Sequence, residues 1–420
     1  MKVAFIRTAA LVLLGASTFA SAQDAPTAPT PLSALIAEAE AKNPQIAAAN
    51  HAWKAATEVP KQLTALPDPR VTVQQFSVGS PKPFAGYTNS DFAYIGVGAS
   101  QEVPYPGKLR LRGQVAEAEA GSQLAAIAVT STTIIDGLKS DYLQLAYLQQ
   151  TLAILRENER VLGTLIQDAI SHYQVGQGMQ QDVLQAQVER TKLVREITMH
   201  HQQMGLIQAH LKQLLNREQG SPDIEPDELK ETQMRLSSAE LLSLVRQNNP
   251  GVKANQSALA KQEVQVASAK REGKPDFDVS YMYQNTDRKY RDYYMFTLNV
   301  RLPKKGRVDA QVAEAAEMQA QAKSALDAQL LQQLAAAQEQ YVQAASDNEL
   351  LTDYRDGLIP QSEAAYRASL SAYATNKEQF VHVLEYFTGL LDLRLELAKT
   401  VADHEIALGH LESLTGANLR

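Results

Sequence analysis

Apolar positions along this chain follow two different periods. Between Gln114 and Asn216 they recur at helical spacing, as in Ile134, Leu138, Tyr142, Leu145, Leu148, Leu152 and Leu155. No proline falls between Pro106 and Pro222. The strong break is Tyr173-Gln-Val-Gly176-Gln-Gly178, so the pattern predicts two long helices folded back on each other at a glycine turn. A helix from Gln114 to His172 would run roughly 90 Å at about 1.5 Å per residue. A bare pair of that length leaves apolar surface uncovered, which requires several such helices side by side.

The second period is two. Val71 and Val73 open a strand predicted over about 70–78. A second follows over about 92–101, with Ala93, Ile95, Val97 and Ala99 on one face and Phe92, Tyr94, Gly96, Gly98 and Ser100 on the other. Such alternation marks strands whose two faces meet different environments. Residues 79–90 between them are a loop by composition.

The whole plan then repeats. A short helix with Leu35 and Ile36 ends at Asn43-Pro44, and one with Leu241 and Val245 ends at Asn249-Pro250. Each is followed by a longer helix, a proline break (Pro67-Asp68-Pro69; Pro275-Asp276) and two strands, the later pair at about 276–284 and 293–302. Val103-Pro104-Tyr-Pro-Gly107-Lys108 is echoed by Leu302-Pro303-Lys-Lys-Gly306-Arg307, and Tyr173-x-Val-Gly176 by Tyr373-x-x-Asn376. The long hairpins are predicted over about 114–216 and 308–415. The chain therefore divides into residues 1–22, a first repeat at 23–220 and a second at 221–420.

Residues 1–22 have the form of a secretory signal: Lys2 and Arg7, an apolar stretch from Ala9 to Ala20, then Ala20-Ser21-Ala22 before Gln23. The formal charge of −7 becomes −9 without those two bases, which argues against a nucleic-acid partner. There is no cysteine, so a disulfide, a thiolate metal site and a lipidated cysteine are all excluded. The predicted fold is mainly α with a small β part, a duplicated unit of long helical hairpins with four strands per chain. Four strands cannot close a barrel with an open lumen, and open strand edges are too costly in lipid. Three copies would supply twelve.

The order and spacing of these motifs resemble the TolC-type outer-membrane efflux family over nearly the whole chain. The stretch Gln101-Glu-Val-Pro104-Tyr-Pro-Gly107-Lys108 and the modest length look most like its heavy-metal branch, the CzcC/CusC-like proteins. The resemblance implies a homotrimer in the cell outer membrane, with a 12-stranded β-barrel in the outer-membrane lipid and a periplasmic α-helical tunnel. It implies docking onto a periplasmic adaptor (membrane fusion) protein and an inner-membrane pump of the resistance-nodulation-division type. It implies neither a cofactor nor enzymatic chemistry.

Two groups of candidate residues follow from that likeness. Family members carry acidic residues just after the second turn, at the tunnel entrance. The matching positions here are His382 and Glu385, with Asp182 and Gln185 in the first repeat. A carboxylate ring attracts cations into a narrow pore, and a histidine can bind a borderline metal or change charge near neutrality. Tyr173, Val175, Gly176, Tyr373 and Asn376 at the two turns are candidates for adaptor contact. Met199, His200, His201 and Met204 invite a metal reading, but adjacent histidines on a helix point in different directions. No nucleophile elbow, phosphate-binding glycine loop or His-Glu-x-x-His motif is present. The expected function is a passive exit duct of a tripartite efflux system for heavy-metal cations. The alternatives are the same duct for drugs, organic solutes or secreted protein, and a periplasmic coiled-coil scaffold without a pore.

Overall fold

The computed structural model describes residues 29–85, 92–286 and 291–419. The predicted signal segment lies outside the described residues. The first repeat runs α1 (Leu32–Lys42), α2 (Pro44–Thr64), β1 (Arg70–Phe76), β2 (Tyr94–Val103), α3 (Lys108–Gln174) and α4 (Gln180–Leu214). The second runs α5 (Ser238–Asn248), α6 (Pro250–Arg271), β3 (Asp276–Asn285), β4 (Asp292–Arg301), α7 (Lys305–Asp353), α8 (Ile359–Ala374) and α9 (Phe380–Thr415).

The repeated Asn-Pro motif does one job in both halves. Asn43 caps α2 by accepting from the Gln45 and Ile46 N–H groups at 2.8 and 3.4 Å, with Pro44 in the first turn. Its amide donates to the Leu214 carbonyl at the end of α4, 2.8 Å away. Asn249 likewise accepts from the Val252 N–H at 3.1 Å and donates to the Leu414 carbonyl of α9 at 3.0 Å. Each short helix is thereby tied to the end of its own long hairpin. Around these ties sit two matching cores. One holds Leu35, Ile134, Leu138, Leu211 and Leu215, the other Leu241, Val245, Ala407, Leu408 and Leu411.

Helix α3 contains 67 residues, about 100 Å of helix at 1.5 Å per residue. It starts six residues before the predicted Gln114, because Gly107 takes φ +91° and turns the chain out of the strand directly into the helix. The ascending arm of the second hairpin differs from the uninterrupted helix expected there. It carries a π-helical turn at Tyr354–Leu358, followed by Pro360 in the first turn of α8. A proline has no N–H to return to the preceding turn, and a widened turn accommodates that loss.

The four strands form one antiparallel sheet in the order β1-β2-β3-β4. Strand β1 ends at Phe76, two residues short of the expected limit, and β2 runs on to Val103, stopped by Pro104. The helices line up in the same order beneath the sheet, with α2 against α3, α3 against α6 and α6 against α7. At the opposite end of the molecule, α3, α4, α8 and α9 close on a third core of Leu162, Ile166, Ala186, Tyr373, Phe380 and Val383.

Candidate functional site

The register of the sheet sorts its side chains by polarity. Val71 pairs with Ala99, Val73 with Val97, Val97 with Tyr283, and Ala99 with Tyr281. Tyr281 pairs with Phe296, Tyr283 with Tyr294, Val279 with Leu298, and Phe277 with Val300. Opposed residues share a face, so one face is mainly apolar and aromatic across all four strands, with Gln75, Gln101, Asn285 and Asp292 toward its ends. It is also bare: Val71 is 75% exposed, Val73 65%, Tyr294 66% and Phe296 68%. The other face carries Thr72, Gln74, Ser100, Asp278, Ser280, Gln284, Thr297 and Asn299. Gly98 lies on this second face, where a Cβ would stand 2.8 Å from the Tyr281 carbonyl and 2.9 Å from the Met282 methyl. This second face also holds Tyr94, Met282, Tyr293 and Met295, so it is mixed in size though mainly polar.

An exposed patch of that size is foreign to a surface in contact with water. Strands β2, β3 and β4 each have ten residues, the length that spans a bilayer at a tilt of about 45°. Among the described residues, β1 and β4 have no further strand beyond them, so the sheet has two open edges. No helix of the described residues is long and apolar enough to cross a membrane.

At the far end, the two hairpin turns are built alike. In the first, Gly176 takes φ +74° and donates to the Tyr173 carbonyl at 3.1 Å, while the Gln177 N–H reaches the His172 carbonyl at 2.8 Å. In the second, Asn376 takes φ +57° and donates to the Tyr373 carbonyl at 2.9 Å, while the Lys377 N–H reaches the Ala372 carbonyl, also at 2.9 Å. The turns touch, through the Asn376 amide and the Gln177 side-chain oxygen at 3.2 Å. The two tyrosines part company. Tyr173 is half-exposed, and Val175 beside it is 69% exposed. Tyr373 is buried, stacked on His172 at 4.7 Å and edge-on to Phe380 at 5.4 Å.

The four entrance candidates take different places. Asp182 accepts from the Met179 N–H at 3.1 Å, which caps α4. Gln185 and Glu385 line the same groove of about 880 Å³ between α4 and α9. His382 is exposed one turn before Glu385, with its Nδ1 2.6 Å from the Glu378 carboxylate. That hydrogen bond raises the His382 pKa above its ordinary value, and it holds the Glu378 carboxyl below its own.

The groove also contains Glu189, Glu196 and Asp392, which the sequence reading missed, with Lys192 as its cation. Burial pushes the Asp392 carboxyl up, and Glu396 and Glu189 push it further. Spacing could have revealed this lining. Glu189 lies four residues beyond Gln185, and Asp392 seven beyond Glu385, so each pair shares a helix face. The Met/His stretch lies along α4. The His200 and His201 Nδ1 atoms each lie against the carbonyl one turn back, at 2.9 and 2.8 Å, and Arg156 meets the other nitrogen of His201 at 2.9 Å.

Comparison with known proteins agrees with this geometry. Residues 35–217 match the family model described as outer membrane efflux protein. No curated protein matches the chain in sequence. Among solved structures, the outer-membrane channel OprN has a TM-score of 0.80 at 16% identity, covering 92% of this chain and 90% of that one. The outer membrane protein VceC from Vibrio cholerae gives 0.76 at 16%, with 93% and 97% covered. CusC, described for its folding and transmembrane channel formation, gives 0.77 at 15%, with 92% of each chain covered. At these identities the likeness is one of fold. CusC matches no better than OprN, so the likeness does not single out a heavy-metal branch.

Proposed function

We propose that this chain is the outer-membrane channel of a tripartite efflux system, a passive duct for cations. The observation that carries the reading is the sheet: one face mainly apolar and largely exposed, the other mainly polar, and both edges unpaired among the described residues. A single copy of such a sheet is unstable in water and in lipid alike, since open edges leave backbone groups without partners. Three copies joined β4 to β1 would close a twelve-stranded barrel, with the apolar face toward lipid and the polar face toward a lumen. The helices beneath would continue the wall into a periplasmic tunnel.

The distal turns would meet the periplasmic adaptor. Tyr173 and Val175 offer exposed apolar contact there, with Gly176 allowing close approach. Tyr373 and Asn376 would act through the shape of the turn. A resistance-nodulation-division pump in the inner membrane would supply the energy. Near the tip, Glu189, Glu385 and Asp392 would recur three times around the axis and favour cations. That lining supports heavy-metal ions as cargo over neutral organic solutes.

Deleting the gene and scoring growth on metal salts and on drugs tests the cargo. Loss of metal tolerance, restored by the wild type and not by Glu385→Ala with Asp392→Ala, is the expected result. Unchanged metal tolerance with new drug sensitivity would move the channel to organic cargo.

A further inference from the structure

The connector between α4 and α5 is fastened to both long hairpins. On the first, the Gln208 side chain exchanges two hydrogen bonds with Ile224, at 2.7 and 3.0 Å, and the Asp227 N–H donates to the Tyr142 hydroxyl at 2.8 Å. Lys212 meets Asp223 at 2.7 Å. On the second hairpin, Thr232 is gripped from both sides. Its N–H donates to the Glu405 carboxylate at 2.6 Å, and its carbonyl accepts from His404 Nε2 at 2.9 Å. One residue earlier, Glu231 pairs with Arg355, which lies in the π turn between α7 and α8.

His404 is 0% exposed. Its Nδ1 lies 3.0 Å from the Ala344 carbonyl of α7. A carbonyl oxygen only accepts, so a bare ring nitrogen at either place would set lone pair against lone pair. Both nitrogens therefore carry hydrogen, and the ring in this arrangement is a cation. The charged groups flanking these contacts are Lys399, Asp403 and Glu405 on α9, Asp347 on α7, Glu231 on the connector and Arg355 in the π turn. Asp347 follows Ala344 by three residues and is 3% exposed, and its Oδ2 has no hydrogen-bond partner. A buried carboxylate in that condition needs a cation near it. Burial pushes the Asp403 carboxyl up; Lys399 draws it down and Asp347 pushes it further.

We infer that the connector is a pH-operated strap: protonated His404, with Glu405, holds it on the second hairpin, and loss of that proton frees the π turn. Among the described fasteners His404 is the one histidine, and a histidine changes charge near neutrality. Without its second proton the ring keeps one carbonyl and repels the other, so Thr232 lets go and Glu231 draws away from Arg355. The π turn is where the long arm can bend. A side chain at Gly357 would meet nothing within 4 Å, and Tyr354 still donates to Glu396 of α9 at 2.9 Å as a pivot. Beyond the turn, α8 leads to Tyr373 and Asn376. The effect at that tip rests on the reading of the chain as a duct.

Hydrogen exchange of the purified trimer in detergent, from about pH 5 to about pH 8 and corrected for the intrinsic rate, tests the strap. Wild type should lose protection roughly tenfold over residues 230–236 and 354–358 as pH rises, and its channels in planar bilayers should stay open longer. His404→Gln should show the loosened strap at every pH. Arg355→Gln leaves the buried ring in place; there the connector should still answer to pH while the π turn no longer follows. The wild-type and Arg355→Gln arms decide the matter without touching the core. Wild-type protection that ignores pH overturns the strap. So does a pH response that survives in His404→Gln, which would assign the proton to Asp347, Asp403 or Glu405. A strap that loosens with no change in open time overturns its hold on the tip. The expected strap response in a protein that passes no current at any pH overturns the duct and leaves the strap standing.

Discussion

The two repeats share one plan and resolve it differently. In the first, the base after the Pro-Gly motif, Lys108, is buried between Glu272 and Asp276 of the second. In the second, the matching Arg307 is exposed. The first long helix runs unbroken for 67 residues, while its counterpart yields to a π turn and Pro360. Tyr173 is half-exposed at one turn and Tyr373 buried at the other. The difference teaches that β2 and α3 of the first repeat meet the other repeat inside the chain, whereas β4 and α7 of the second stand at an open edge among the described residues.

The largest expected effect sets Lys108 against Arg307. Lys108→Met leaves Asp276 without its cation in a largely buried junction, while Glu272 keeps Arg112, and should cost about 3–5 kcal/mol of stability in detergent melts. Arg307→Met in the isolated chain should stay within about 0.5 kcal/mol. Equal costs would break the comparison. Next comes the sheet. Phe296→Arg on the apolar face should cost about 2–4 kcal/mol in lipid refolding titrations. Thr297→Arg on the other face should leave folding intact and reduce conductance; the reverse ranking would turn the wall inside out.

A smaller effect tests where the repeats should agree. Asn43→Ala and Asn249→Ala each remove a helix cap and a tie to the hairpin end, and each should cost about 1–2 kcal/mol. Unequal costs would show that the matching motifs do different work. The smallest effect is electrostatic. The His382 pKa is raised by Glu378, so His382 keeps its proton into a window just above its ordinary value of 6.5 and loses it as pH rises through the folded pKa. Cation preference of the channel should therefore increase as pH rises through that window. His382→Gln should flatten the change, and Asp182→Asn should leave it in place.

Much of this was legible in the residues. Period-two alternation marked all four strands, and the doubled Asn-Pro, Pro-Gly and Tyr-turn motifs marked the duplication, because local backbone chemistry repeats with local sequence. The faces of the strands were legible as different, but not which face would be bare. The partners of Lys108 were hidden, since Asp276 lies 168 positions away and only the lateral order of the strands brings it near. Tyr173 and Tyr373 read alike because the ring that buries one of them, His172, belongs to the other hairpin. The break at Pro360 was not read from the sequence, although a proline within a long helical run is the signal that could have shown it. The lining acids Glu189 and Asp392 needed the pairing of α4 with α9, which periodicity on one helix does not supply.

Assembly in a membrane is the point on which everything else turns. The most direct measurement is to refold the protein in detergent, determine its mass, and add it to planar lipid bilayers. Heat-stable trimers that open discrete conductance steps are the expected result. A water-soluble monomer that binds no detergent and passes no current would contradict it.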